Sequence, residues 1–147
     1  MKYLLVCCCC FFAACGRAPE APPAYTPGFG ELMLNIQIHH AKLWFAGDSA
    51  NWPLAEYEES LIRSGFKKLS LYHGASADGR FLPMIVGPLD SIDAAISLKD
   101  PSAFHRGFLL LTTTCNNCHV VTSHGFNAIT VPVAPPIGNQ RYSVPAK

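Results

Sequence analysis

From residue 27 onward, apolar positions recur in steps of three and four. Phe29, Leu32, Met33, Ile36, His40 and Leu43 share one face of a helix expected from about Pro27 to Ala46, opened by Thr26-Pro27 and stopped at Gly47. Asn51 is placed to cap a second helix through Pro53 to about Leu71, with Leu54, Leu61, Ile62, Phe66 and Leu69 turned inward. After a loop holding Gly74, Asp78 and Gly79 comes a shorter third helix. It is interrupted at Gly87-Pro88, with Ile85, Leu89, Ile92 and Ile96 on one stripe. Asp100-Pro101 then caps and starts a fourth helix to about His124, with Gly125 just beyond. Its inward seam runs Phe104, Phe108, Leu111, Cys115, Cys118. No segment alternates as a strand would, and no repeat is present. The expectation is an all-α chain, four helices in an antiparallel bundle.

The two ends of the chain read differently. Asn127 to Lys147 contains Pro132, Pro135, Pro136 and Pro145 and is expected to be an irregular tail folded over the surface. At the other end, Met1, Lys2 and Tyr3 precede an apolar run from Leu4 to Ala14, long enough for a signal-peptide core and too short to span a bilayer. Phe12-Ala13-Ala14-Cys15 resembles a bacterial lipobox, with Phe12 where Leu is usual. That resemblance implies cleavage before Cys15 and lipidation of its thiol; a plain secretory signal and an uncleaved anchor are the alternatives. Gly16 after the lipidated Cys, where no Asp stands, is similar to the outer-membrane default of enteric-type lipoproteins. The chain thus divides into a signal peptide (1–14), a Pro-rich tether (15–27), a helical domain (28–125) and the tail (126–147).

This division changes the cysteine count. Of the seven Cys, Cys7 to Cys10 leave with the leader and Cys15 carries lipid, so only Cys115 and Cys118 remain for chemistry. An exported domain with two thiols has no disulfide framework. Loss of Lys2 brings the 11 Lys and Arg level with the 10 Asp and Glu. A neutral balance without a basic run argues against nucleic-acid binding. No second apolar stretch is expected to span a bilayer, so membrane attachment would come from lipid alone.

Cys115-Asn116-Asn117-Cys118-His119 is a C-x-x-C-H motif, the attachment pattern of a c-type haem. On a helix, residues three and four apart share a face, so both thiols can reach one porphyrin edge and His119 can offer an imidazole nitrogen to iron. Residues within a turn of Cys115, Leu111 among them, would touch the ring. Four helices with this motif on the last resemble the class II c-type cytochromes, the cytochrome c-prime and c-556 group, over roughly Pro27 to Gly125. The resemblance implies one covalent haem c, Cys115 and Cys118 as thioether positions and His119 as proximal ligand. The long Pro-rich tail and the His39-His40 pair depart from that pattern.

In such bundles the first helix faces the iron from the distal side. His40 lies nearest the centre of the apolar face marked by Ile36, with Met33 one heptad earlier and His39 off to the other side. His40 is therefore the leading candidate for sixth ligand and metal-binding partner of His119, followed by Met33; an open site is the third possibility. Trp44, Phe45, Trp52 and Tyr57 are expected in the core or around the pocket. His73 and His105 are read as surface residues and His124 as a helix-end His near terminal carbonyls. Asp90 and Asp93 belong to a solvated face, and no hydrolase triad is evident.

The reading is an exported, lipid-anchored, single-haem carrier of one electron on the periplasmic side of a bacterial membrane, serving a redox partner protein. It is an electron carrier more than an enzyme, and the family's habit makes a homodimer a possible state. A haem-based sensor of nitric oxide or carbon monoxide is the alternative on the same fold. A haem-free lipoprotein with a C-x-x-C disulfide or zinc site is the alternative from another class.

Overall fold

The computed structural model describes residues 25–144. The leader, Cys15, most of the tether, and Pro145 with the two residues after it lie outside the described residues. Four α-helices follow in order: α1 (Phe29–Asp48), α2 (Trp52–His73), α3 (Val86–Leu98) and α4 (Pro101–Val121). A 3₁₀ segment, Gly79–Ile85, runs straight into α3. No strand occurs among the described residues.

Local chemistry accounts for the boundaries. Asn51 Oδ1 accepts the Leu54 N–H, and Asp100 Oδ1 accepts the Ala103 N–H at 3.0 Å; each cap is followed by a proline in the first turn, where the missing N–H costs nothing. α1 begins later than expected. The Pro27 carbonyl accepts from His73 Nε2 at 2.9 Å, and Gly28, in an extended conformation, precedes the first turn. α1 also passes through Gly47 to Asp48. Gly47 is no stop signal: a Cβ there would run into the Phe104 ring of α4, so the glycine permits a close crossing. Gly87-Pro88 does not interrupt α3 but forms its first turn; the irregular part lies upstream, where Pro83 sits within the 3₁₀ segment. α4 ends at Val121, short of His124. There Thr122 Oγ1 donates to the Cys118 carbonyl at 2.8 Å, and Ser123 takes a left-handed φ of 63°, turning the chain before Gly125.

Loops of only a few residues join α1 to α2 and α3 to α4, and these two pairs pack most extensively, as expected of antiparallel neighbours. Their shared core holds Leu43, Ile62, Leu69, Leu89, Ile92, Phe104, Phe108 and Leu111, all essentially without solvent exposure. Each such side chain contributes roughly 1.5–3 kcal/mol of transfer free energy. Trp44, Phe45 and Trp52 pack against this core, whereas Tyr57 is exposed, contrary to expectation, because it lies on the outer side of α2.

Gly79–Leu98 is, by length and composition, long and apolar enough to cross a membrane. The expectation of no second such stretch misses it by separating the loop from the helix. Here Leu82, Ile85, Leu89, Ile92 and Ile96 are buried in the bundle. Beyond α4 no further helix occurs among the described residues, yet the tail is pinned to the bundle. Asn51 Nδ2 donates to the Tyr142 carbonyl at 2.8 Å, and the buried Tyr142 ring packs 5.5 Å from Phe45.

Candidate functional site

α1 and α4 approach each other less than the adjacent helix pairs do. Between them lies a cavity of about 230 Å³. Met33, Ile36 and His40 line it from α1, Ile62 and Phe66 from α2, Phe81, Leu82 and Ile85 from the 3₁₀ segment. Leu111, Cys115, Cys118 and His119 close it from α4, and Asn127 and Ile129 from the tail. Leu34 and Met84 are exposed on its rim. Every cavity residue singled out from the sequence, on α1 and α4 alike, meets at this one place. α1 from its first turn to His40 and α4 from Leu111 onward share it because the two helices run in opposite directions.

Contacts fix the register of that pair. Trp44 packs 4.9 Å from Phe108, and His40 Nε2 lies 2.9 Å from Thr112 Oγ1. Each residue back along α1 thus matches one forward along α4, about 1.5 Å at a time. Seven residues on from His40 and Thr112 stand Met33 and His119. By this register Met33 is level with His119, and His40 lies about two turns deeper.

His119 is half-buried, and its Nδ1 is 2.6 Å from the Asn127 carbonyl oxygen. A carbonyl only accepts, so Nδ1 carries a proton, and in the neutral imidazole Nε2 is then the nitrogen with the lone pair. Asn116, inside the motif, makes two bonds to one tail residue: Nδ2 donates to the Ile129 carbonyl at 2.8 Å, and Oδ1 accepts the Ile129 N–H at 2.7 Å.

The two thiols are free. Burial, reinforced by the neighbouring Cys118, pushes the Cys115 thiol up to about 12, and burial followed by the Asp78 charge raises Cys118. Both therefore stay protonated near neutrality in the metal-free chain, out of the thiolate form that thiol exchange needs. Among the described residues no three His, Cys, Asp or Glu side chains converge to hold a metal ion by themselves.

His40 is buried with its ring 4.4 Å from that of Phe108. Thr112 Oγ1 donates to the Phe108 carbonyl at 2.9 Å, so its lone pair receives the His40 Nε2–H. Burial lowers the His40 pKa from 6.5 to about 4, which keeps the imidazole neutral at pH 7.

The remaining histidines are occupied elsewhere. His39 Nδ1 lies 2.7 Å from Glu58 Oε2 in the α1–α2 interface and does not line the cavity. Lys42 Nζ lies 2.6 Å from the other oxygen of this buried carboxylate, a charge contact rather than an aligned hydrogen bond. His73, read as a surface residue, is part-buried, packing 5.5 Å from Phe29 and holding Pro27. His105, also read as a surface residue, is part-buried with its ring 5.0 Å from that of Trp44, and it pairs with Asp48 at 3.1 Å. His124 lies beyond the helix, its backbone N–H on the His119 carbonyl and its ring against Phe126. Asp90 is exposed and takes Arg63 at 3.0 Å. Thr112, Asn116 and Asn127 are the contributors that periodicity overlooks, since it scores polar residues as outward-facing.

Comparison with protein-family models, with curated proteins and with solved structures finds no match.

Proposed function

We propose that the cavity takes a single haem c, attached through Cys115 and Cys118 and ligated by His119, and that the protein is an exported, lipid-anchored carrier of one electron. The observation that carries this reading is the His119 ring: with Nδ1–H held by the Asn127 carbonyl, Nε2 is the nitrogen left to bind a metal. A ligating histidine usually donates its other N–H to a carbonyl or carboxylate in this way. The walls suit the group. Ile36, Ile62, Leu82, Ile85 and Leu111 are apolar, and both thiols of the motif line the same wall as His119. A cavity of about 230 Å³ is somewhat below the roughly 300–1,000 Å³ of ligand pockets, so a porphyrin would reach out past the rim at Leu34 and Met84. Bound haem supplies an iron centre that gains and loses one electron.

The sequence favours His40 as sixth ligand; the register supports Met33. Met33 stands level with His119 and carries a thioether on an unbranched, adaptable side chain. His40 is deeper, and its Nε2 is committed to Thr112. Met33 opposite His119 would give a higher potential than a second imidazole. The resemblance to class II c-type cytochromes agrees with this reading through the place of the motif on the last helix. Lipidation at Cys15 and a periplasmic-side location rest on the lipobox-like stretch alone.

The test is to export the protein in a host able to attach haem and to record oxidised and reduced spectra with and without carbon monoxide. Two axial ligands give low-spin bands that carbon monoxide leaves unchanged. Met33→Ala should convert the spectrum to high spin, while His40→Ala should not. High-spin bands in the unaltered protein that shift with carbon monoxide would favour gas binding. No Soret band would sink the cytochrome reading.

A further inference from the structure

Two side chains of the C-x-x-C-H motif make three hydrogen bonds to the backbone of the tail beyond α4, and none of them is explained by covering a core. Two come from one side chain: Asn116 grips both the N–H and the carbonyl of Ile129, at 2.7 and 2.8 Å. The third is the His119 Nδ1–H to the Asn127 carbonyl at 2.6 Å. Asn127 and Ile129 stand two residues apart in the same stretch of tail. Fixing Ile129 therefore fixes where the Asn127 carbonyl points. The turn that brings the chain back is itself bonded: the Ser123 N–H reaches the Val120 carbonyl, and the Asn127 N–H the His124 carbonyl at 2.9 Å.

We propose that Asn116, in the first variable position of the motif, is a positioning residue. It clamps the tail so that the Asn127 carbonyl holds His119 in the Nδ1–H tautomer and presents Nε2 to the cavity. The tail is then a working part of the site, and the orienting group for His119 comes from beyond the helix that carries it. The value of the clamp to a bound iron rests on the haem reading above; the clamp itself does not, because it acts on the imidazole whether or not haem is attached.

Two physical consequences follow. A neutral imidazole free in water exchanges between tautomers, whereas one bonded to a carbonyl is fixed with its proton on the bonded nitrogen. Outer partners of this type also raise the basicity of the ligating nitrogen, and their loss commonly weakens metal binding about 10–100-fold. Asn116→Leu keeps side-chain size and removes both bonds to Ile129.

The experiment is nitrogen-15 spectroscopy of the His119 ring in the full-length haem-free protein. The unaltered chain should show Nδ1 protonated, Nε2 bare and a slowly exchanging Nδ1–H. Asn116→Leu should speed that exchange about tenfold or more and mix the tautomers, with helix content retained. Ile129→Pro, which removes the N–H that Asn116 accepts, should do the same, and the double variant should add little further. In haem-loaded protein, Asn116→Leu should raise the reduction potential, as expected of a less basic His119. An Nε2–H tautomer in the unaltered chain would overturn the proposal, as would an His119 ring indifferent to both substitutions. A chain that shows the clamp yet binds no haem would leave the positioning role standing and sink the cytochrome reading alone.

Discussion

The two motif thiols show how burial sets chemistry residue by residue. Cys115 needs a pKa of about 12 only because its surroundings disfavour a thiolate; Cys118, raised by the same cause, is less enclosed. Since the thiolate is the nucleophile, folded haem-free protein at pH 8 should react with iodoacetamide at Cys115 at least about a hundredfold more slowly than a free cysteine does. Cys118 should be modified first, and unfolding in guanidinium should bring both to the ordinary rate, read by mass spectrometry. Rapid alkylation of the folded chain would return the pair to thiol chemistry. At this scale the sequence is legible where residue type and spacing coincide. Cys115, Cys118, His119, Met33, Ile36, His40 and Leu111 are found from motif and period, and all line one cavity. Glu58 is not found: it is fully buried on α2, and a hydrophobic period cannot count a carboxylate as inward-facing. The only hint was on another helix, where His39 and Lys42 stand three apart and meet it.

Element boundaries depend on contacts that lie outside the element. Asn51 and Asp100 are local caps, and both are readable in the sequence. Gly47 is misread as a helix end because a glycine required by a neighbouring ring and a glycine ending a helix look the same in one dimension. Their energetics differ, and substitution tells them apart. Gly47→Ala places a methyl group into the Phe104 ring and should cost about 1–3 kcal/mol in denaturant unfolding, as overpacking does. Gly87→Ala has open space around it and should be neutral or stabilising by up to about 1 kcal/mol, the difference in helix propensity. Equal effects at the two sites would mean that α1 and α4 do not cross so closely at this end. That crossing sets the register which carries Met33 opposite His119, so the same pair of variants tests the frame on which the ligand assignment rests. The tail defeats sequence reading for a related reason. Its prolines exclude regular structure, but its place is set by Asn116, Asn51 and Phe45, more than ten residues away in each case.

For the molecule as a whole, the weakly joined α1–α4 seam holds both the candidate site and the point of acid sensitivity. Its deepest polar group is His40, whose folded-state pKa of about 4 lies below the 6.5 of an unfolded histidine. The fold therefore favours the neutral ring. Stability from this source is fully present above pH 6.5 and is lost as the pH falls from there through 4, because the unfolded chain binds a proton that the folded chain resists. The shift corresponds to a loss on the order of 3 kcal/mol, a large part of the marginal stability of a small domain. Glu59 acts in the opposite sense. Burial raises its pKa against the pull of Arg63, so protonation in acid relieves a cost of folding. A single denaturation series would mix the two. His40→Gln separates them, since an amide can still donate to Thr112 but does not titrate, and Glu59 is common to both proteins. Urea unfolding of the haem-free chains at pH 7, 5.5 and 4 should show the unaltered protein losing stability more steeply than His40→Gln, with the gap opening below pH 6.5. Parallel slopes would mean that water reaches His40 and that the inner end of the cavity is wet, which would also free its imidazole to compete with Met33 for a metal.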